Sequence, residues 1–347
     1  MRILNVADFN WMTGAERRTA NLSLFDICRK FSLAANRAGH LVTEFSDRAV
    51  ARAGPLRPGP ERRFLQVVDE LRPELILLHF ADRIGNGALA EARRLSPGVV
   101  VADINIDPID TEKNRRRLAL RKGAADALFV TTAEPALGEY AGAGAFAAYL
   151  PNPVDPAIET GRGFENEAPA FDLLLPATDE GPREVGGERL SPAEAARRLR
   201  MALPALRLNA PGVGGQPKAR GYGYFQALQS ARAGWSLSRR ASLPLYASDR
   251  MAHFFGWGLA VALDRRAGFD RFYGGDAAVF YDGLDDLAGS LGRLLADDAA
   301  AREIARKGWT RTWELFPSER VLAYVLAQLF DEGGAGGYEW PCERWGR

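Results

Sequence analysis

Short apolar runs recur along this chain, separated by helical segments, and several of them close on polar residues. In the first half they are Arg2–Ala7, Leu41–Phe45, Leu75–His79, Val99–Asp103 and Ala127–Thr131. Helical spacing fills the gaps: Leu24, Ile27, Phe31 and Ala34 or Ala35 fall on one face of segment 24–38. Apolar runs this short suit strands buried on both sheet faces, and helices between them are the crossovers that parallel pairing needs. The second half repeats the pattern at Phe171–Leu175, Leu206–Asn209, Trp235–Ser238, Leu259–Leu263 and a run ending at Tyr281. A chain of 347 residues has room for two such domains.

The N-terminal β-loop-α-β opening is how a Rossmann-like domain begins. It lacks G-x-G-x-x-G, so nothing supports a nicotinamide or flavin cofactor. Lys+Arg 45 against Asp+Glu 44 leaves a net charge of +1, which argues against nucleic acid as a partner. Cys28 and Cys342 have no paired spacing, and His40, His79 and His253 are too few for a metal cluster. No metal site is expected. The start reads as a strand rather than a leader, no apolar run approaches the ~20 residues that span a bilayer, and a cytoplasmic setting is expected.

Ligands of open α/β sheets sit outside the carboxyl ends of the strands. His79 and Asp82 follow one buried strand, and Asn105-Ile106-Asp107-Pro108 follows the next. Asp107 and His79 are therefore candidate bases: Asp107 for its short rigid turn, His79 for a side chain that titrates near pH 6.5. The basic segment Glu112–Lys122 carries Lys113, Arg115, Arg116, Arg117, Arg121 and Lys122. It reads as a solvated helix face, or as a peripheral contact with the inner face of a membrane.

In the second half, Leu243–Asp264 reads as a turn, a helix and a buried strand. Ser248 or Asp249 can cap the helix, Arg250 opens its first turn, His253 shares Arg250's face, and Gly256 and Gly258 end it. A helix N-terminus with an arginine is suited to phosphate. Loop Pro176–Glu188 carries Arg183 at the same sheet edge, Ser238-Arg239-Arg240 ends the preceding strand, and the glycine-rich loop Gly212–Gly223 can wall a base.

The stretch resembles the donor-site segment of GT-B glycosyltransferases, especially the CgeB-like group, whose pattern runs roughly S-x-R-x-F-E-x-x-A-x-G before a hydrophobic strand. Ser248, Arg250, Gly256 and Gly258 fall at or near matching positions, and the family glutamate, which faces the donor ribose, falls on His253. Tyr149–Asp155, with Pro151-Asn152-Pro153-Val154-Asp155, resembles the connector that opens the second GT-B domain. The resemblance implies two Rossmann-like domains facing each other across a cleft: an acceptor domain over 1–150, a nucleotide-sugar donor domain over 151–315, and a crossover helix over 316–332 returning to the first. Residues 333–347 are read as a loose tail. It further implies a metal-independent glycosyltransferase whose donor meets Arg250, His253, Ser248, Asp249, Arg183, Ser238 and Arg239, with no cofactor beyond the nucleotide sugar. A glycan, lipid-linked or protein acceptor would lie near Asp82, Gly14 and Arg17, with Asp107 or His79 as base. A sugar-nucleotide epimerase or hydrolase and a non-catalytic sugar-binding protein are the alternatives.

Overall fold

The structure, a computed structural model, describes residues 1–9, 26–52, 58–331 and 333–346. The chain divides into two compact units: Met1–Pro153 with Ser318–Arg347, and Val154–Pro317.

Unit 1 runs β1 (Arg2–Val6), α1 (Ile27–Arg37), β2 (Leu41–Phe45), α2 (Asp47–Arg52), α3 (Pro60–Leu71), β3 (Leu75–His79), α4 (Asn86–Leu95), β4 (Val100–Asn105), α5 (Glu112–Arg121), β5 (Ala127–Val130) and β6 (Phe146–Tyr149). The strands form one six-stranded parallel sheet in the order β2-β1-β3-β4-β5-β6. Every residue of β3 is buried, as its unbroken apolar run requires. Phe64 and Val68 of α3 and Leu89 and Ala92 of α4 cover one face, against Leu4, Val6, Ile76, Leu78 and Val101.

Unit 2 runs β7 (Phe171–Leu174), β8 (Arg183–Val185), β9 (Glu188–Leu190), α6 (Pro192–Ala202), β10 (Leu208–Asn209), α7 (Tyr222–Gln229), β11 (Ala231–Trp235), α8 (Asp249–Gly256), β12 (Ala260–Asp264), α9 (Asp270–Tyr273), β13 (Val279–Tyr281), α10 (Leu284–Ala296) and α11 (Asp298–Leu315). Its main sheet is parallel, ordered β10-β7-β11-β12-β13. Segment 176–188, expected as a loop, instead enters an antiparallel hairpin of β8 and β9. The strand expected over Trp235–Ser238 is displaced to Ala231–Trp235 because Arg232 and Gly234 break the apolar run. Arg232 is nonetheless buried, its charge met by Asp298 at 2.5 Å and its Nη1 donating to the Asn166 carbonyl at 2.7 Å. Gly234 is required because a Cβ there would stand 2.5 Å from the Phe254 ring.

The chain then returns to unit 1 as α12 (Ser318–Phe330), which packs on α1. Tyr324 of α12 is buried and donates to the Tyr149 carbonyl at 2.9 Å. The expected loose tail is corrected. Trp345 pairs antiparallel with Ala147 beside the sheet edge at β6. Trp340 is 2% exposed, its ring 5.6 Å from that of Tyr324 and 4.7 Å from that of Tyr338. The aromatic area of Trp340 is what the polar, glycine-rich context concealed: buried on Tyr324 it fixes a segment that has no helix or strand period. Trp340→Ala should lower the unfolding free energy by about 3 kcal/mol in chemical denaturation, the size of a buried Trp truncation; a change near zero would restore the loose tail.

Candidate functional site

At the carboxyl edge of the unit 2 sheet, Arg250 opens α8 and reaches back to two adjacent strands. Its Nη1 donates to the Pro176 carbonyl beyond β7 at 2.6 Å, and its Nη2 to the Leu237 carbonyl beyond β11 at 2.9 Å. Its Nε is buried without a partner. Arg183, at the start of the hairpin, is 4% exposed; Nη2 donates to the Thr178 carbonyl at 3.2 Å, while Nε and Nη1 are buried without partners. Burial pushes the Arg183 guanidinium down to about 10, and the charges of Arg250 and Arg239 add to this. Burial lowers Arg250 too, and Arg239 again adds to the effect. Buried guanidinium donors of one sign, with Arg250 depressing Arg183 and Arg239 depressing both, form a site that an anion would relieve. Leu245, three residues before the N-cap, holds a left-handed φ of 53° that a non-glycine residue adopts at a cost.

Ser248 is the N-cap of α8, with extended φ and ψ, but its side chain makes no capping bond. Asp249 occupies the first turn. Gly256 is the last residue of α8, and Gly258, at φ 75°, follows the C-cap Trp257. Ser238 is half-buried, its carbonyl accepting from the Glu184 N–H and its hydroxyl from the Arg240 N–H; Arg239 is exposed. His253 is the residue on which the resemblance places the family glutamate that faces the donor ribose. It is buried, its Nδ1 lies 2.6 Å from Glu159 Oε1, and the Tyr224 ring packs edge-on against it. Glu159 is itself fully enclosed, and its Oε2 accepts from the Asp155 N–H at 2.6 Å. A carboxylate is therefore present at this place in the fold, held behind the imidazole and drawn from a polar loop with no motif to mark it. The glycine-rich loop closes on β7: a Cβ at Gly212 would stand 2.3 Å from the Ala177 carbonyl oxygen. Asn209, Pro211, Gly214 and Gln216 line one side of a cavity of about 660 Å³ along the edge of the sheet, with Arg197, Arg200 and Met201 of α6 on the other.

In unit 1, Asp107 is exposed on a rigid turn. Asn105 and Asn114 exchange side-chain amide bonds at 2.7 and 3.0 Å, the Asp107 N–H donates to Asn105 Oδ1, and Asn114 Nδ2 donates to the Asp107 carbonyl. Asp82 is exposed and accepts from Arg48 at 3.0 Å. His79 is corrected: it is 4% exposed, its ring packs edge-on to Phe31, and neither ring nitrogen has a partner. Burial, with Arg117's charge second, lowers its proton affinity to about 3, which removes the property that made it a candidate base. Gly14 and Arg17 lie outside the described residues. The basic segment is not one solvated face either: Arg121 is buried and donates to the Ala81 and Ile84 carbonyls, and Arg117 stacks 3.7 Å over the Phe80 ring. Among the described residues no group of three or more His, Cys, Asp or Glu side chains gathers to hold a metal ion, and no helix is long and apolar enough to cross a membrane.

Residues 188–327 match the family model described as glycosyl transferase-like. Over nearly its whole length the chain is also similar to solved structures. One is an alpha-glucosyltransferase in complex with UDP, at TM-score 0.62 and 12% identity, covering 93% of this chain and 98% of that one. Another is HepE of Anabaena in complex with UDP and glucose, at TM-score 0.57 and 14% identity, covering 94% and 98%. A third is sucrose-phosphate synthase of Thermosynechococcus elongatus, at TM-score 0.55 and 14% identity, covering 93% and 97%. The fold is GT-B. The family match over Arg250 and His253, joined to that fold, makes the chain a glycosyltransferase. Identities this low speak for the fold and not for the substrate. No curated protein matches the sequence.

The glycosyltransferase also carries a buried acid that its sequence offered only as one of a run. Asp103 of β4 is fully enclosed, with both carboxylate oxygens unpartnered. Burial pushes it up to about 6, against the opposing pull of Arg117 and Arg121. A carboxyl raised in the folded state keeps a proton that the unfolded chain has released, so stability falls as pH climbs from about 4 to about 6 and stays lower above. At about 1.4 kcal/mol for each pH unit between 3.8 and about 6, the loss is about 3 kcal/mol. Asp103→Asn should therefore be more stable than the parent by that order at pH 8, with the gain gone at pH 4, in paired urea titrations. An equal or less stable variant at pH 8 would mean that the carboxylate has found a stabilising partner.

Proposed function

We propose that this glycosyltransferase, of CgeB-like type, takes a sugar from a nucleoside-diphosphate sugar held in unit 2 and delivers it to a hydroxyl acceptor met by unit 1. The observation that carries the reading is the arginine pair at the carboxyl edge of the unit 2 sheet, Arg250 and Arg183, with buried donors that no protein group takes up. Departure of a nucleoside diphosphate builds negative charge on its terminal phosphate. Fixed guanidinium groups and the N–H groups at the start of α8 oppose that charge without reorganising, which supports a metal-independent reaction. Uridine diphosphate is the first candidate, since two of the similar structures contain UDP, and the cavity at Asn209–Pro217 suits the base.

On the acceptor side Asp107 is the proposed base if the anomeric centre inverts: it is exposed, ends a buried strand and is held by the Asn105–Asn114 exchange. Lys113, Arg115, Arg116 and Lys122 remain exposed on and beside α5, which suits a glycan, lipid-linked or protein acceptor presented at an anionic surface. Both cysteines are free thiols, in keeping with a cytoplasmic setting.

Calorimetric titration with UDP, GDP, ADP and dTDP tests the donor side. One of them should bind, and Arg250→Ala should weaken it by about 1.5–3 kcal/mol, the value of hydrogen bonds to a charged group; unchanged affinity in a folded variant would remove Arg250 from the site. With the matching sugar nucleotide and an acceptor, Asp107→Asn should leave donor affinity intact and slow turnover about 10²–10⁴-fold. A loss below tenfold would take Asp107 out of the mechanism.

A further inference from the structure

Arg183 reaches the phosphate site on a hairpin, and that hairpin is tied to the ends of three strands. Its turn, Gly186-Gly187, has φ of 55° and 94°, the doubly positive geometry that two-residue hairpins favour and that glycine supplies. The Gly186 N–H donates to Asp264 Oδ2 at 2.8 Å, at the end of β12. A Cβ on Gly186 would stand 2.1 Å from the Asp282 carbonyl oxygen, just beyond β13. The Glu184 N–H donates to the Ser238 carbonyl at 3.0 Å, beyond β11. Its carboxylate is 6% exposed; Oε2 accepts from the Ser242 N–H at 2.9 Å, and Oε1 lies 3.3 Å from Arg240 Nε. Asp264 is 3% exposed and is gripped in turn by Arg266, Nε to Oδ1 at 3.0 Å and Nη2 to Oδ2 at 2.8 Å.

Successive side chains of a strand leave on opposite faces. Glu184 faces its anchors, so its neighbour Arg183 leaves on the other side, where it meets the Thr178 carbonyl. The unpartnered Nε and Nη1 of Arg183 are held in the field of Arg250 and Arg239, an arrangement that like charges do not adopt unaided. We propose that Glu184 and Asp264 are positioning residues for the donor phosphates: they pin the hairpin so that Arg183 stays beside Arg250 before any ligand arrives. This rests on the phosphate reading of the two arginines given above. Preorganisation is the physical gain, since an arginine already ordered loses little freedom when the phosphate binds. Released from Glu184 and Asp264, Arg183 would relax away from its like-charged neighbours toward solvent.

A double-mutant cycle in the full chain tests this, read as the dissociation constant for whichever of UDP, GDP, ADP and dTDP binds most tightly. Arg183→Gln and Glu184→Ala should each weaken binding at least tenfold. Together they should weaken it little beyond Arg183→Gln alone, because Glu184 acts through Arg183. Glu184→Gln, which keeps an acceptor for the Ser242 N–H, should stay within threefold of the parent. A merely structural role predicts independent, multiplying losses in the cycle, and that result overturns the proposal. So does a folded Glu184→Ala of parental affinity while Arg183→Gln is weakened. If Arg183→Gln itself binds like the parent, or none of the four nucleotides binds, the phosphate reading fails instead. Should Glu184→Ala not fold, the same cycle is run with the near-isosteric Asp264→Asn, and the same two patterns decide.

Discussion

The double grip of Arg250 is the interaction on which the candidate donor site depends. A guanidinium presents its donors in one plane. With Nη1 fixed on the Pro176 carbonyl and Nη2 on the Leu237 carbonyl, the plane is set and the unpartnered Nε–H has no freedom to turn. Those two carbonyls lie beyond neighbouring parallel strands, β7 and β11, where the chain leaves the sheet and its backbone oxygens lose ladder partners. Arg250 thus satisfies two such oxygens, ties two loops to the start of α8, and leaves a donor over. One side chain therefore holds the local fold together and carries the donor proposed for the phosphate, so the two roles would be lost together. Arg183 repeats the economy on a smaller scale, with one donor on the Thr178 carbonyl and two unpartnered.

Much of this was legible in the sequence because a parallel sheet writes itself plainly. Buried strands must be apolar throughout, so β3 and β12 stand out as runs, and the polar residue that follows each marks the edge where ligands collect. Arg250 at a helix start could be read in the same way. What escaped were features whose cause is tertiary. Arg232 reads as a break in an apolar run until Asp298 and the Asn166 carbonyl are in place to meet its charge. The hairpin of β8 and β9 is two three-residue strands, too short to show a period, and its Gly186-Gly187 turn sits among other glycines. Glu159 and Asn114 carry no motif; each acts on a residue outside its own element, His253 far along the chain in the first case and Asn105, nine residues back at the end of β4, in the second. Trp340 was passed over because its neighbours are polar, although a tryptophan has enough surface to anchor a segment alone.

His79 shows how a correct placement can carry the wrong chemistry. It does end a buried strand at the carboxyl edge of the unit 1 sheet, as the sequence implied. Side-chain direction then decides: the ring is turned inward against Phe31, and a buried imidazole resists the proton that a base must accept. Asp107, two residues past the end of β4, escapes the sheet and stays in solvent on a turn that Asn105 and Asn114 hold.

Among the described residues, the buried polar groups without partners differ in kind between the two units. In unit 2 they include the buried donors of Arg250 and Arg183 at the sheet edge, which an anion would answer. In unit 1 they are mixed: both oxygens of Asp103, both nitrogens of His79, Nε and Nη2 of Arg117, and the hydroxyls of Thr131 and Thr132. No single ion answers that set. Groups that both donate and accept do, and water or a sugar hydroxyl is such a group, able to give a proton to a carboxylate while accepting one from a guanidinium. Native proteins leave few buried polar atoms unpaired. At the ends of β3, β4 and β5 such atoms suit water as well as a hydroxyl-bearing ligand. Buried arginine donors in unit 2 and a mixed polar set in unit 1 are what the proposed transfer from a nucleotide sugar to a hydroxyl would call on, each within its own unit.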